Sequence, residues 1–312
     1  MMSGQVAEEV KEPLLSSGSV IDNRYQVLTC LDGRRVYLVR DVEVQDKLFA
    51  AKISSRDEIF SRTFNLRREY ITHSCFDHPN IVKILSPFET NDYFGFLMEY
   101  LGGGNLANYI RHMGRFDYEQ ALGLLRSILS GLTEIHQKNF IHSDLKPENI
   151  LLTTDGKPKI ADFGVSCMMN SVSEVSNEVR GTFQYLCPHY VRTGELTTEC
   201  DIYAVGLIGY ELFSGICPFY NEDPIKMMRM RLESEIPGVD SVVNINNARI
   251  SEALSRALKC SPSERFSSAK EFLNALPESY NLPNAAVRKI LNKKFSHTYP
   301  QHVKGEYLKK VA

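Results

Sequence analysis

Apolar residues along the first hundred positions fall into short runs, several of which alternate with polar residues. Runs of this length, rich in β-branched and aromatic residues, predict strands. One longer segment has helical spacing and ends before His78-Pro79. We therefore expect a small five-stranded antiparallel sheet with one helix. The predicted strands are RYQVLTCL, RVYLVRD, KLFAAKIS, IVKILSPFE and FGFLMEY, and the predicted helix lies in DEIFSRTFNLRREYITHSC.

The pattern changes after the LGGGN stretch at 101–105. In EQALGLLRSILSGLTEIHQ, apolar residues recur every three or four positions and form one apolar helix face. Two short strand-like runs, NILLTT and PKIADF, flank Asp155-Gly156 and predict a hairpin. This second part is predicted to be mostly helical, which gives an α+β fold class. Its further predicted helices cover 200–214, 223–234, 249–259 and 268–275.

The two ends of the chain differ from its middle. Residues 1–21 are polar and are predicted to be a flexible leader. Residues 279–312 hold seven Lys or Arg against one Glu, which is typical of a basic extension that contacts a partner or an anionic surface. The predicted organisation is thus a leader, an N-lobe over 22–101, a C-lobe over 102–278 and a basic extension.

Composition changes this picture little. A formal net charge of −2 gives no electrostatic footprint for nucleic acid, so no nucleic-acid partner is expected. The seven cysteines have no zinc-ligand spacing, which favours a reducing compartment and predicts a cytoplasmic location. No apolar run approaches the roughly 18 residues of a membrane span, so no transmembrane segment is expected.

The residues that carry chemistry are concentrated in two motifs. FIHSDLKPENILL places Asp144, Lys146 and Asn149 within six positions, and KIADFG places Asp162 just after the next hairpin. Phosphoryl transfer requires mainly positioning and charge neutralisation. Two carboxylates, an amide and an ammonium group are suited to that task.

From about residue 24 to 276 these motifs, in their order, resemble a protein kinase catalytic domain. The resemblance implies a bilobal fold, with ATP bound between the lobes and Mg²⁺ held by Asn149 and Asp162. Asp144 would accept or orient the proton of the attacking hydroxyl, and Lys146 would neutralise the transferring phosphate. Lys52 in FAAKI and Glu69 in LRREY match the ion pair that positions the ATP phosphates.

The resemblance also implies a nucleotide pocket and a substrate class. Backbone groups of Glu99 and Leu101 would bind the adenine base, and a protein substrate with a Ser or Thr acceptor is expected from Lys146 together with Thr182. The remaining residues assigned to nucleotide binding are Leu31 and Gly33 in the flap, Met98 at the back of the pocket, and Val36, Ala50 and Leu151 around the adenine ring.

The chain departs from the family pattern in three places. DGRR replaces the GxGxxG flap, so Arg34 and Arg35 either supply charge in place of the lost N–H donors or are solvated turn residues. Ser143 replaces the usual arginine of the catalytic loop, which predicts activity independent of activation-loop phosphorylation. CPH replaces APE, so Arg265 needs another acid, or water, in place of a glutamate at His189.

Three functions remain open at this stage. The first is an active Ser/Thr protein kinase, because every residue assigned to metal, phosphate and the attacking hydroxyl is present. The second is a pseudokinase that binds nucleotide or a partner without efficient transfer, which the shortened flap, Ser143 and His189 favour. The third is a small-molecule or RNA kinase on the same fold, since fold does not fix substrate; Thr182 and the recognisable activation segment argue against it.

Overall fold

The structure is a computed structural model that forms two compact units. The first unit includes the described residues of 1–75 and 83–100, and the second those of 76–82 and 101–278. No helix in the part of the chain described is long and apolar enough to cross a membrane. The structure describes residues 13–44, 47–56, 60–169, 183–219, 221, 223–233, 236–243 and 247–278.

The first unit is built on an antiparallel sheet that contains the five predicted strands and a sixth, very short one. In strand order the sheet is β1-β2-β3-β4-β6-β5, and one helix, α1, contacts β4, β5 and β6. The predicted α+β arrangement of this part is confirmed. The elements are β1 (Val20–Ile21), β2 (Tyr25–Cys30), β3 (Val36–Asp41), β4 (Leu48–Ser55), α1 (Phe60–His73), β5 (Ile84–Glu89) and β6 (Tyr93–Glu99).

Strand β1 corrects the predicted leader. Val20 and Ile21 pair with the start of β2, and Ile21 is 3% exposed within the apolar core of the sheet. Further upstream, the N–H of Leu15 donates to the hydroxyl of Tyr37 at 3.2 Å. The polar composition predicts a mobile segment, but the apolar side chains of Leu15 and Ile21 pack on the core of the sheet and hold residues 15–21 there. Residues 1–12 of the predicted leader lie outside the described residues.

The sheet has two different faces. One face is a closed apolar core, because alternate residues of β3, β4 and β6 point to the same side. The opposite face carries Lys52 and its neighbours, and α1 covers part of it, with the ring of Tyr70 5.8 Å from that of Phe96. The core face includes Tyr25, Val27, Tyr37, Val39, Phe49, Ala51, Ile53, Phe88 and Leu97.

The second unit is mostly helical, as predicted, with two small two-stranded sheets formed by β7 with β10 and by β8 with β9. Three of its helices, α2, α4 and α7, were not predicted. The elements are α2 (Leu106–Met113), α3 (Tyr118–Gln137), β7 (Phe140–Ile141), β8 (Ile150–Leu152), β9 (Pro158–Ile160), β10 (Cys167–Met168), α4 (Pro188–Thr193), α5 (Thr198–Ser214), α6 (Pro224–Glu233), α7 (Val239–Val242), α8 (Ala248–Ala257) and α9 (Ala269–Ala275).

Helix α5 is the centre of this unit. Every residue from Cys200 to Phe213 is buried, so the helix has no solvent face, as expected for a helix surrounded by others. It packs against α3 and α8, and the predicted apolar face of α3 is buried with it. A polar side chain on α5 is therefore held in a fixed position, and Asp201 is one of these.

Residues 76–82 belong to the second unit rather than to the predicted N-lobe. Ile81 forms a bridge with Ile160 of β9, and the N–H of Val82 donates to the carbonyl of Ile160 at 2.9 Å. The ring of Phe76 stacks on that of Phe163 at 5.0 Å. The segment was assigned by its place in the sequence, but its hydrogen bonds join it to β9.

Candidate active site

The loop between β2 and β3 is a tight turn whose backbone donors are bonded to one carboxylate. Gly33 has a φ of +77°, which favours glycine at this position. Oδ1 of Asp32 accepts hydrogen bonds from the N–H groups of residues 34–36 at 2.8–2.9 Å. Successive N–H groups of this kind form the concave anion sites of phosphate-binding loops. In this chain they bind the carboxylate of Asp32, and Leu31 beside it is exposed.

Lys52 of β4 and Glu69 of α1 form an ion pair, with 2.7 Å between Nζ and Oε1. Glu69 is only 5% exposed, and the side chain of Lys52 is 18% exposed. A pair shielded in this way holds its ammonium group in one place better than a solvated surface pair does. The structure thus brings together the two residues that the sequence paired.

Four residues predicted to line the nucleotide pocket share one face of the sheet. Val36 is the cross-strand partner of Lys52, and Ala50 is the partner of Met98. Cross-strand partners point to the same side, as do residues two positions apart. Val36, Ala50 and Met98 therefore form an apolar surface around the stem of Lys52, as expected for a site that takes a flat, largely apolar ring.

The remaining predicted nucleotide residues lie at the end of β6 and in the second unit. The N–H of Glu99 donates to the carbonyl of Lys83 at 3.0 Å, and Oε1 of Glu99 accepts from the N–H of Lys83 at 2.7 Å. Leu101 is the first residue of the second unit after β6. Leu151 lies in β8, where it forms a bridge with Asn105.

Asp144, Lys146 and Asn149 converge in the loop that connects β7 to β8. Nζ of Lys146 lies 2.7 Å from Oδ2 of Asp144. Nδ2 of Asn149 donates to that same oxygen at 3.0 Å and to the carbonyl of Asp144 at 2.8 Å. With its amide nitrogen engaged in this way, Asn149 directs its other amide atom, an oxygen, away from Asp144. The cluster joins a carboxylate, an ammonium group and an amide oxygen in one place.

The carboxylate of Asp201, in α5, holds the backbone of this loop through hydrogen bonds. Oδ1 accepts from the N–H of Ser143 at 2.9 Å, and Oδ2 accepts from the N–H of His142 at 2.8 Å. Nε2 of His136 lies 2.9 Å from Oδ2. Ser143 has a φ of +72°, a conformation that persists for a non-glycine residue only when its surroundings enforce it. The position of Asp144 therefore depends on a buried carboxylate of α5.

Asp162 follows β9 and has a φ of +65°. The residues on either side of it are fixed: the N–H of Ala161 donates to the carbonyl of Asn149 at 2.9 Å. The carbonyl of Ala161 lies 3.1 Å from Nε2 of His142. Phe163 packs between the rings of His142 and Phe76. These contacts attach Asp162 to the same loop that carries Asn149.

Asn149 and Asp162 supply one amide oxygen and one carboxylate. Hard oxygen donors of this kind suit Mg²⁺, which takes one or two protein ligands and completes its shell with water and substrate phosphates. Within the described ranges, no group of three or more His, Cys, Asp or Glu residues is arranged to hold a metal ion. The donor set fits a cation that arrives with a phosphate, not a site made entirely of protein ligands.

Arg265 has neither of the partners that the sequence suggested. It is 2% exposed, so it does not reach water, and its guanidinium donates to three backbone carbonyls at 2.7–2.9 Å. It also lies over the ring of Tyr203 at 4.9 Å. His189 is at the position of the expected glutamate, and its Nε2 lies 3.6 Å from Oε2 of Glu195. Carbonyl dipoles and a ring face replace the missing carboxylate.

Thr182, predicted to help define the Ser/Thr class, lies outside the described residues. Just after it, the hydroxyl of Tyr185 donates to Oε1 of Glu211 at 2.8 Å. Glu211 is 5% exposed, and burial raises its pKa to about 7. Burial, together with the nearby Glu211, raises the pKa of Tyr185 as well. The pair ties the segment before α4 to α5.

Two features of the site were missed at the sequence level. The hydrogen bonds that Asp32 accepts are local, and an aspartate at the start of a turn is a known signal for such bonds. The contact between His136 and Asp201 joins residues 65 positions apart, and no pattern in either helix indicates it. The first could have been predicted, and the second required the fold.

Comparison with known proteins agrees with this architecture. A family model described as the protein kinase domain matches residues 33–277. The chain therefore belongs to the protein kinase family.

Its curated relatives include Ser/Thr protein kinases from several bacteria. PrkC of Bacillus subtilis (strain 168) is 36% identical over 228 residues, covering 70% of this chain and 35% of that protein. Probable kinase PknB of Lactococcus lactis subsp. lactis is 28% identical, over 89% of this chain and 45% of that protein. PknL of Mycobacterium tuberculosis (strain ATCC 25618 / H37Rv) is 29% identical, over 89% of this chain and 71% of that protein.

The chain thus spans between about a third and a half of the length of PrkC and PknB. All three relatives are named as Ser/Thr-protein kinases. The recognition of a Ser/Thr-type protein kinase catalytic domain from its sequence motifs is confirmed.

Proposed function

We propose that this chain is an active protein kinase that uses ATP and Mg²⁺ to phosphorylate Ser or Thr hydroxyls of protein substrates. The observation that carries the proposal is the cluster of Asp144, Lys146 and Asn149, in which Nζ of Lys146 and Nδ2 of Asn149 lie 2.7 and 3.0 Å from Oδ2 of Asp144. Such a cluster places a base, a cation and a metal ligand around one reacting phosphate.

Each residue has a distinct role in this proposal. Asp144 accepts the proton of the substrate hydroxyl or orients that hydroxyl for attack. Lys146, held on Asp144, neutralises charge on the transferring phosphoryl group. Asn149 and Asp162 hold Mg²⁺, which when bound supplies positive charge to the phosphates. Lys52, fixed by Glu69, holds the phosphates of ATP.

The nucleotide base has a matching surface. Val36, Ala50 and Met98 offer an apolar face beside Lys52, and we assign the remaining base contacts to Glu99, Leu101 and Leu151. Leu31 and Gly33 belong to the turn beside the phosphates. The known family to which the chain belongs uses ATP, and this donor set is consistent with that cofactor.

The second candidate is a pseudokinase that binds nucleotide without efficient transfer. The observation that favours it is the turn at Asp32, where the N–H groups of residues 34–36 are bonded to a carboxylate. We prefer the active kinase, because the groups assigned to the hydroxyl, the metal and the phosphate are all present, and Lys146 and Asn149 are both bonded to Asp144. The presence of the groups assigned to the chemistry is stronger evidence for catalysis than the turn, which affects nucleotide affinity, is against it.

The Ser/Thr class rests on Lys146, on Thr182 and on the names of the relatives. The protein substrate would place its hydroxyl beside Asp144. A cytoplasmic location agrees with the use of ATP and with seven cysteines that form no disulfide bond in the described part of the chain. The basic segment 279–312 is proposed to contact a partner or an anionic surface.

Activity is further proposed to be independent of activation-loop phosphorylation. Ser143 stands where the family carries an arginine that pairs with a phosphorylated loop residue. Ser171, Ser173 and Ser176 have therefore lost that partner. Replacing all three with alanine should leave the transfer rate within about twofold of the wild type, a change of less than about 0.5 kcal/mol. Loss of activity in the triple variant would contradict this proposal.

The experiment that tests the main proposal is phosphoryl transfer from labelled ATP to a generic protein substrate. Asp144→Ala and Asp162→Ala should each lower the rate by at least about 100-fold, since each removes a group that acts on the transferring phosphate. Asp92→Ala, which changes an exposed carboxylate in a turn of the first unit, is the matched control and should keep wild-type activity. Equal activity in all four proteins would refute the assignment of roles.

A further inference from the structure

Two cysteines of the second unit lie side by side although they are 13 positions apart. Cys187 is the residue before α4, and Cys200 lies in the first turn of α5. Their Sγ atoms are 2.7 Å apart, and the residues are 1% and 7% exposed. Both are free thiols. Neither residue has a role in the proposed phosphoryl transfer.

The surroundings of the two thiols differ. Sγ of Cys187 accepts from the N–H of Tyr190 at 3.4 Å. Contact with the Cys200 thiol, the N–H of Tyr190 and the charge of Arg265 lower the pKa of Cys187, whereas contact with Cys187 and burial raise the pKa of Cys200. Cys187 therefore loses its proton more readily than its neighbour, which together with the 2.7 Å between the sulfurs is the arrangement of an attacking and a resolving cysteine.

A small cavity of about 20 Å³ adjoins both thiols. This is room for one water-sized molecule. The cavity is also lined by Asp144 and Asp201, so the thiol pair and the catalytic loop share one space. Cys200 directly precedes Asp201, whose carboxylate holds the N–H groups of His142 and Ser143. A chemical modification of Cys200 would therefore lie next to Asp201, the residue that holds the catalytic loop.

We propose that Cys187 and Cys200 are a modification site, a dithiol that a peroxide converts reversibly into a disulfide bond. The bond joins the segment before α4 to the first turn of α5. Because the two thiols are buried, the peroxide reaches them during local opening of this segment. Oxidation is accordingly slower than at the exposed Cys75.

The reaction balances with one equivalent of hydrogen peroxide. The Cys187 thiolate attacks one peroxide oxygen, the O–O bond breaks, and the released hydroxide takes up a proton to become water. The sulfur of Cys200 then attacks the resulting sulfenic acid, the S–O bond breaks, and a second water leaves with the Cys200 proton. Two thiols are oxidised to one disulfide and the peroxide is reduced to two waters. A dithiol reductant reverses the reaction by exchange.

The disulfide should lower phosphoryl transfer, a consequence that rests on the proposed function. Bond formation fixes the two sulfurs at about 2.05 Å with a specific dihedral angle. It also removes the thiolate charge from the sulfur that accepts from the N–H of Tyr190. The backbone movement needed to form the bond affects the first turn of α5, next to Asp201. Because Asp201 holds the loop that positions Asp144, the position of Asp144 changes as well.

The bond itself is tested by mass spectrometry, which needs no kinase activity. The full chain is treated with hydrogen peroxide, remaining thiols are alkylated, and the protein is digested with trypsin without reduction. Cleavage after Arg180, Arg192 and Lys226 separates Cys187 from Cys200. We expect peptides 181–192 and 193–226 to be joined, with the loss of two hydrogens, and to separate on reduction with dithiothreitol.

Three variants control this result. Cys187→Ala, which restores the family residue, and Cys200→Ser should each abolish the joined peptide. Cys217→Ser should retain it, and this control is needed because Cys217 lies on the same tryptic peptide as Cys200. Cys187 and Cys200 that are still alkylated after prolonged treatment with excess peroxide, well beyond the time at which exposed Cys75 is fully oxidised, would overturn the proposal.

The regulatory consequence has its own measurement. Peroxide should lower the transfer rate of the wild type by at least about fivefold, and dithiothreitol should restore it. Cys187→Ala should be insensitive to the same treatment. A complete cross-link with an unchanged rate would overturn the regulatory effect. A wild type that transfers no phosphate would refute the proposed function, while the mass measurement would still decide the disulfide.

Discussion

At the scale of single residues, sequence motifs predicted several side chains that lie together in the structure, but not the backbone contacts that hold them. Lys52 and Glu69 were paired from the sequence and form an ion pair in the structure. The partners of Arg265 could not be predicted, since they are backbone carbonyls contributed by other segments. Side-chain identity reports what chemistry is available, whereas backbone acceptors become visible only when the chain is folded.

Glu211 gives a prediction at this scale. Its pKa is about 7 in the folded protein, above the ordinary value of 4.5, because it is buried. The folded state then binds more protons than the unfolded state between about pH 4.5 and 7, so stability falls as the pH rises through this window. Glu211→Gln removes the titration and can still accept from Tyr185. Above pH 7 it should raise the unfolding free energy by up to about 3 kcal/mol, with little change near pH 4.5.

The measurement is urea denaturation of the wild type and of Glu211→Gln from pH 5 to 8. Glu252→Gln, which changes an exposed glutamate of α8, serves as the control and should follow the wild type. Parallel pH profiles for the wild type and Glu211→Gln would show that burial does not perturb this carboxyl group.

At the scale of elements, long periodic segments were predicted and short ones were not. Helices α3 and α5 have extended apolar patterns and were expected. Helix α2 has only eight residues and depends on a side-chain cap, in which Oδ1 of Asn105 accepts from the N–H of Asn108 at 2.9 Å. Strand β1 has two residues and exists only by pairing with β2. Such elements are stabilised by neighbours rather than by their own pattern.

The turn between β2 and β3 gives the prediction at this scale. Asp32→Ala would free the N–H groups of residues 34–36 and remove a negative charge from the site proposed for the phosphates. We expect the Kd for Mg-ATP to fall by about three- to tenfold, since about 0.7–1.4 kcal/mol is typical of gained N–H bonds to an anion. Titration of the full chain with Mg-ATP measures this and does not depend on turnover.

Asp32→Asn separates the two contributions. Its side-chain oxygen can keep the bonds to residues 34–36 while the charge is lost, so it should improve affinity less than Asp32→Ala does. An unchanged or weaker affinity in Asp32→Ala would mean that Asp32 orders the turn without competing with phosphate. Replacing Arg34 and Arg35 together with alanine tests whether their charge contributes to nucleotide binding. If it does, the affinity for Mg-ATP should decrease.

At the scale of the whole molecule, the order of the motif residues along the chain predicted the family. The structure then showed the contacts that hold these residues in place. The sequence of Lys52, Glu69, Asp144, Asn149 and Asp162 was sufficient to recognise a protein kinase domain, which the family match confirms. It was not sufficient to place residues 76–82 in the second unit, because their position depends on contacts with β9, which lies far along the chain.

The measurement that tests the central claim most directly is the rate of phosphoryl transfer from labelled ATP as Mg²⁺ is added to the metal-free protein. We predict a rate that rises from background with Mg²⁺ and saturates in the wild type and in Asp92→Ala. Asp162→Ala should stay near background at every Mg²⁺ concentration. Transfer that proceeds equally without Mg²⁺, or that survives intact in Asp162→Ala, would contradict the account.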